Sequence, residues 1–315
     1  MSKEAYHALC QTEDTIPVFS QDWWLDIVCG KAQWDVHLIE QNSRIMAALP
    51  YYMPRPGIIT MPSYVQTMGI WFAPYAEDTK YTTVLEQRQA ICKLLIEKIK
   101  DCKSFRQNFH HSFTDWLPFY WNNYTQTTRY TYILPKLDDT EHLWANMSQH
   151  TRRNIKKAKE QFQITVKKGI PVEDFFKVQA QTFERQNIKN KQSSEVLQEL
   201  IHACRQQEQG DIWGGYDKEG NLHAAVFVVW QKKVAYYLAG GGDPQLRSSG
   251  AHSLVLWEVI REVACYSESF DFEGSMIPGV ERFFREFGGI QTPFFAINKG
   301  KLSLIDRAFI KFSSR

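Results

Sequence analysis

Three groups of side chains in this 315-residue chain have the types and spacing that chemistry requires. The first is the run Gly240-Gly241-Gly242-Asp243-Pro244-Gln245-Leu246-Arg247-Ser248-Ser249-Gly250-Ala251, which reads as a loop between a strand and a helix. Glycines let backbone amides approach a ligand, and first-turn helix amides have no internal partner. Such a segment can hold a phosphate, with Arg247 adding a fixed positive fork. The plainer alternative is that the glycines permit only a bulge and a turn. The second group is Asp271 and Glu273, two apart on an expected strand and therefore on one face. Two like charges there raise at least one pKa, as suits a general base taking a proton from an ammonium nucleophile. Alternatively, one carboxylate pairs with Arg282 or Arg285 and braces the next turn. Tyr236 and Tyr237 stand on opposite faces of the strand before the loop. We assign Tyr236 as the acid for a leaving group, against the alternative that it simply packs. The third group is basic: Arg152, Lys156 and Lys159 recur at i, i+4 and i+7 on one helical face, either a solvated face or a surface for phosphates.

The elements that must position these groups follow a twice-repeated order. In the first half Arg44–Met53 reads as a strand, residues 54–57 as a turn and Ile58–Tyr64 as a second strand. A Gly- and Pro-containing loop, a helix over 84–100 and a strand over 105–113 follow. In the second half His223–Trp230 and Val234–Ala239 form a strand pair around Gln231-Lys232-Lys233. The loop, a helix over 251–264 and a strand over 269–273 come next. Each half then has a Pro and an aromatic-rich helical turn before a last strand. Two-strand hairpin, loop, helix, strand, aromatic turn and strand occurring twice indicates a tandem duplication. Between the halves, residues 130–134 read as a strand, and an acidic helix start at Asp138-Asp139 leads into one helical stretch through Gln161.

Composition narrows the class. The chain is 43% hydrophobic and 23% charged, with a net charge of +2. No run of roughly 18 apolar residues and no charged-then-apolar leader is visible, so we expect a cytoplasmic protein without integral membrane association. Six scattered cysteines without CxxC spacing fit reduced thiols, and neither HExxH nor a Cys/His cluster calls for a metal. No Ser or Cys nucleophile signature is present either, so direct transfer needs no covalent intermediate.

The segment Arg247-Ser248-Ser249-Gly250-Ala251 resembles the first five positions of the Gln/Arg-x-x-Gly-x-Gly/Ala loop by which GNAT N-acyltransferases hold the pyrophosphate of acyl-CoA. The sixth position is His252, a side chain where that pattern has Gly or Ala. Phe270-Asp271-Phe272-Glu273-Gly274-Ser275, with Gly279-Val280-Glu281-Arg282-Phe283-Phe284-Arg285-Glu286-Phe287-Gly288-Gly289, is similar to the ending of the Fem-like branch of that superfamily. The same branch opens its second half with a helix similar to Trp144–Ala158. The resemblance spans roughly residues 15–300. It implies an α/β protein of bacterial type with a mixed sheet and two tandem GNAT-like acyltransferase domains. These would be 1–130, degenerate and on the acceptor side, and 131–315, for donor binding and catalysis. The implied reaction is acyl or aminoacyl transfer from acyl-CoA, an acyl carrier protein or aminoacyl-tRNA to an amine, with no permanently bound cofactor. Arg247, Ser248, Ser249, Gly250 and Ala251 would hold the donor. Arg152, Lys156, Arg282 and Arg285 would meet substrate, and Asp271, Glu273 and Tyr236 would move protons. The acceptor is expected to be a small molecule or a peptidoglycan-precursor-like compound, with tRNA a further candidate partner. Oligomeric state is left open. A non-catalytic binding protein on a degenerate transferase fold is the competing reading, motivated by His252.

Overall fold

The structure is a computed structural model and describes residues 2–185 and 193–300. Residues 301–315, the end of the expected second half, lie outside the described residues. The chain forms two compact units: Met1–Arg129 with the segment from Pro293 onward, and Tyr130–Thr292.

The first unit contains α1 (Ser2–Thr12), α2 (Asp22–Cys29), β1 (Trp34–Gln41), β2 (Arg44–Arg55), β3 (Ile58–Thr60), β4 (Trp71–Phe72), α3 (Tyr81–Ile99), β5 (Ser104–Asn108) and α4 (Leu117–Trp121). The expected hairpin turn narrows to Pro56-Gly57, where Gly57 takes a positive φ of 77°. β1 pairs with β2 antiparallel, while β3 runs parallel to β5. Of the apolar residues Ile91, Leu94, Leu95 and Ile99 that recur at helical spacing in α3, Ile91, Leu95 and Ile99 are buried in a cluster with Leu49, Phe105, Phe109 and Phe119, while Leu94 is exposed. The strand expected to reach residue 113 stops at Asn108. Phe113 then accompanies a turn closed by its amide donating to the His110 carbonyl.

β6 (Thr125–Pro135) leads into the second unit. It is followed by α5 (Thr140–Asn146), α6 (Gln149–Glu160), β7 (Thr165–Lys168), α7 (Val172–Arg185), α8 (Ser194–Gln206), β8 (Gly210–Tyr216), β9 (Leu222–Trp230), β10 (Val234–Gly242), α9 (Ala251–Val263), β11 (Ser269–Asp271), α10 (Pro278–Glu286) and β12 (Ile290–Gly300). Strand order in this unit is β6-β11-β10-β9-β8-β7. Val255, Val259 and Val263 of α9 are fully buried against Val226, Val228, Phe270 and Phe272, so the valine stripe is the helix's sheet-facing side.

Three departures from the sequence reading matter to the site. The single helix expected through Gln161 is two helices. Met147 is extended and buried, and Ser148 caps α6 by accepting from the Thr151 amide, while its own amide donates to the Glu286 carbonyl at 2.8 Å. Next, Gly240–Gly242 belong to strand β10, paired with Ala224–Val226, and not to the loop. A Cβ at Gly241 would lie 2.6 Å from the Val178 carbonyl oxygen of α7, and the Gly242 amide donates to Thr182 Oγ1 at 2.9 Å. These two glycines let a helix lie directly on the strand. Finally, β11 ends at Asp271, and Glu273 has φ 58°, so the two carboxylates are not successive same-face residues of one strand.

Candidate functional site

A cavity of about 740 Å³ opens in the second unit. β10 is its floor. β10 and β11 run parallel and pair only over Val234–Tyr236 with Ser269–Asp271. On its other edge β10 carries a register shift between Tyr237 and Ala239 against β9. A bulge of this kind bends the strand and re-aims its side chains and amides. The cavity wall beyond the strand is made by His150, Thr151 and Asn154 of α6, by the turn Arg247–Ser249 with Gly250, Ala251 and His252, and by Val280, Phe283 and Phe284 of α10.

The loop reads its shape from the sequence. Gly250 has φ 78°, the left-handed region that glycine adopts without penalty, and directly precedes α9. A Cβ there would also sit 2.7 Å from the Asn154 carbonyl oxygen, so glycine is required twice: once for the turn and once for the approach of α6. Lys157 donates to the Ser248 carbonyl at 2.7 Å and ties the loop to α6 from outside. The resulting end of the cavity combines Arg247 with the start of α9, where the helix dipole favours an anion. Ile277, Val280, Phe283 and Phe284 give another part of the wall an apolar character. The ligand form that matches this wall has a phosphate-bearing part and an apolar part.

The expected site residues fall into three places. Arg247, Ser249, Gly250 and Ala251 line the cavity, and Ser248 contributes the carbonyl held by Lys157. Tyr236, Asp271 and Glu273 form a second group, the first two buried and Glu273 half-buried. Tyr236 stands opposite Asp271 in the parallel register. Asp271 Oδ1 accepts from the Thr131 hydroxyl and from the Glu273 amide at 2.7 Å. Glu273 Oε1 is buried and has no hydrogen-bond partner among the described residues. Burial, and then the charge of Asp271, push the Glu273 carboxyl well above the usual carboxylate range. The third set does not line the cavity at all. Arg152 and Lys156 lie on α6 beside its buried face of Thr151, Ile155 and Ala158, while Arg282 and Arg285 donate at 2.8 Å to Glu286 and Glu281 of their own helix. The arginines thus brace α10 itself.

Tyr237 is the residue that joins the first two places, and the sequence assignment passed over it in favour of its neighbour. It lines the cavity, its hydroxyl lies 3.2 Å from His252 Nε2, and Phe284 meets its ring edge-on. Burial and then the charge of Glu273 raise its phenol. Gly240 makes room for it, since a Cβ there would be 2.1 Å from the Tyr237 hydroxyl. His252 therefore stands against Tyr237 and, edge-on at 5.3 Å, against Phe283. The strand alternation that puts one of two adjacent tyrosines on each face was legible, but not which face carried the cavity.

The family model described as "Acetyltransferase (GNAT) domain" matches residues 145–285, the stretch that holds the cavity, its loop and both carboxylates. That match covers most of the second unit. No curated protein sequence matches the chain. Among solved structures, the whole chain is similar to the crystal structure of FemX, with a TM-score of 0.66 at 11% identity over 99% of this chain and 98% of that one. It is similar to L-PGS from Bacillus licheniformis, with a TM-score of 0.54 at 13% identity over 99% and 95%. It is also similar to a tandem GNAT protein from the clavulanic acid biosynthesis pathway, with a TM-score of 0.50 at 11% identity over 93% and 92%. At these identities the likeness is one of fold: α/β, with the tandem GNAT arrangement spanning the chain. No helix among the described residues is long and apolar enough to cross a membrane.

Proposed function

We propose that this protein transfers an acyl or aminoacyl group from an activated, phosphate-bearing donor to an amine, with the donor seated in the cavity of the GNAT domain. The observation that carries this reading is that Arg247, Ser249, Gly250, the opening of α9 and Tyr237 all line one cavity. The phosphates would lie at Arg247, Gly250 and the start of α9, and the acyl carbonyl at the bulge of β10, where backbone amides stabilise the developing oxyanion. The amine would lose its proton to the Asp271–Glu273 pair and attack the carbonyl carbon. The bond to the sulfur or ester oxygen would then break, and that atom would take a proton from a tyrosine hydroxyl. Tyr237 is the better placed of the two tyrosines for that last step, because it lines the cavity while Tyr236 is buried away from it. The raised pKa of Glu273 suits a group that must hold a proton in one step and release it in another.

Acyl-CoA is the donor that the loop and the family model favour; aminoacyl-tRNA is the donor implied by the resemblance of residues 270–289 to the Fem-like branch, and an acyl carrier protein is a third form of the same chemistry. Assigning the first unit to the acceptor, a small amine or a peptidoglycan-precursor-like compound, extends the same reading. The test is a transfer assay with labelled acyl-CoA and labelled aminoacyl-tRNA against a panel of amines. Turnover is expected with one donor class, and Glu273→Gln combined with Asp271→Asn should lower it by about 10²–10⁴-fold. Full turnover in that double variant would remove the carboxylates from the mechanism.

A further inference from the structure

Beneath the phosphate loop lies a chain of polar groups that the transfer chemistry does not use. Ser249 Oγ is 2.9 Å from His223 Nδ1, and His223 Nε2 is 3.1 Å from Asp217 Oδ2. His223 and Ser249 are buried, at 4% and 1% exposure, yet both border the cavity. Asp217, on the turn between β8 and β9, also accepts from the Asn221 amide at 2.8 Å and from Asn221 Nδ2 at 2.9 Å. The Asn221 side-chain bond, then the one to His223, and after them the Asn221 amide hold its carboxyl down to about 2.

Hydrogen counting fixes the direction of this chain. An ionised Asp217 only accepts, so His223 Nε2 carries a hydrogen. In the neutral ring Nδ1 is then a lone pair, and Ser249 must donate its hydroxyl hydrogen to it. Ser249 Oγ meanwhile accepts from the Ala251 amide at 3.2 Å. The serine's one hydrogen is thereby spent inside the protein, and what it offers the cavity is oxygen lone-pair density, which repels an anion. When the ring is protonated, Nδ1–H donates to Ser249 Oγ, and the serine hydrogen is released toward the cavity as a donor.

We propose that Asp217, His223 and Ser249 form a positioning relay that couples the seating of a phosphate-bearing donor at the Arg247 loop to the uptake of one proton by His223. This rests on the reading of the cavity as the donor seat. Asp217 fixes the tautomer, His223 carries the proton, and Ser249 presents a lone pair or a hydrogen to the phosphate accordingly. The remaining titratable or charged groups near this wall are His150 on α6, His252 on α9, Tyr237 on β10, Glu286 on α10, which accepts from Arg282, Arg247 and Asp243 on the loop, and Lys157, which holds the Ser248 carbonyl and lies over the ring of Phe162, itself edge-on to His223. His150 and His252 are the other imidazoles on this wall, so the test must separate them from His223.

The test is calorimetric titration of the full chain with dephospho-coenzyme A, whose pyrophosphate diester does not itself titrate near neutrality. It is run from about pH 6 to about pH 8 in pairs of buffers with different ionisation enthalpies. Wild type should take up close to one proton per ligand at the pH where the free ring is neutral and the bound ring charged. Its Kd should rise by up to ~10-fold per pH unit as pH increases. Ser249→Ala and His223→Gln should bind with Kd independent of pH and no proton uptake, while His150→Gln and His252→Gln should keep it. Ser249→Ala removes a single oxygen, so a fold defect in His223→Gln leaves the test standing. Binding by wild type with no net proton exchange overturns the relay and leaves the donor reading intact, as does uptake that survives in Ser249→Ala or disappears in His150→Gln or His252→Gln. No binding of the ligand at any pH overturns both.

Discussion

Replacing Glu273 with Gln should make the protein more resistant to unfolding as pH rises. The Glu273 carboxyl is buried, Oε1 has no partner among the described residues, and its pKa stands well above the carboxylate range, through burial first and Asp271 second. The unfolded chain gives up this proton near pH ~4.3, the ordinary glutamate value. Below that pH both states hold the proton, and Glu273 adds nothing to the pH dependence. Above it the folded state holds one more proton than the unfolded state, so each further pH unit removes ~1.4 kcal/mol of stability until the folded carboxyl ionises and the loss levels off. Gln has no proton to lose. The difference between variant and wild type should therefore be flat in acid and open in the variant's favour by ~1.4 kcal/mol per unit above about pH 4.5, or ~3 kcal/mol across two units. Urea unfolding of both proteins at intervals from about pH 4 to about pH 8 measures this difference directly. A gap that stays flat, or that closes as pH rises, would mean that Glu273 is ionised and paired in the fold, and its assignment as a proton-holding group would fall.

Other consequences are equally specific. Gly250→Ala places a side chain at φ 78° and 2.7 Å from the Asn154 carbonyl, so it should cost ~2–5 kcal/mol and weaken donor binding together with stability, read by urea unfolding and titration. Gly241→Ala meets the Val178 carbonyl at 2.6 Å. It should cost ~1–3 kcal/mol by lifting α7 from β10, which hydrogen exchange on 172–185 would reveal. Thr131→Val takes a donor from buried Asp271 and should destabilise by ~1–3 kcal/mol in the same unfolding assay. Tyr237→Phe should lower turnover with little change in donor Kd, whereas Tyr236→Phe should leave the balance of the two unchanged.

The parts of the fold written in local periodicity were legible in the sequence. The stripe Val255, Val259, Val263 and the run 223–230 declare a buried helix face and a buried strand without any knowledge of their partners. Residues 162–216, by contrast, yielded no elements to sequence reading. The face of α8, Leu197, Leu200, Ile201 and Cys204, does recur at helical spacing and is buried, so that helix was legible and was passed over. The glycines at 240–242 read as part of a ligand-approaching loop because local chemistry cannot distinguish a glycine that turns from one that makes room for a packed helix; the clash of a Cβ at Gly241 with α7 is visible only in three dimensions. Asp271 and Glu273 drew attention through their charge and spacing, while the left-handed backbone that sets Glu273 apart follows from Gly274 and the end of β11. Ser249 was legible as a donor-loop residue, but its link to His223 and Asp217 was not, because that link joins a loop, a strand and a turn far apart in the chain. The one local signal was a histidine at the head of an otherwise apolar strand.

The most direct measurement of the central claim is a crystal structure of the full chain with coenzyme A. The pyrophosphate should lie against Arg247, Gly250 and the first turn of α9, with the pantetheine arm running along β10 toward Tyr237. An empty cavity at saturating ligand, or coenzyme A bound elsewhere on the chain, would contradict the assignment of this cavity as the donor seat.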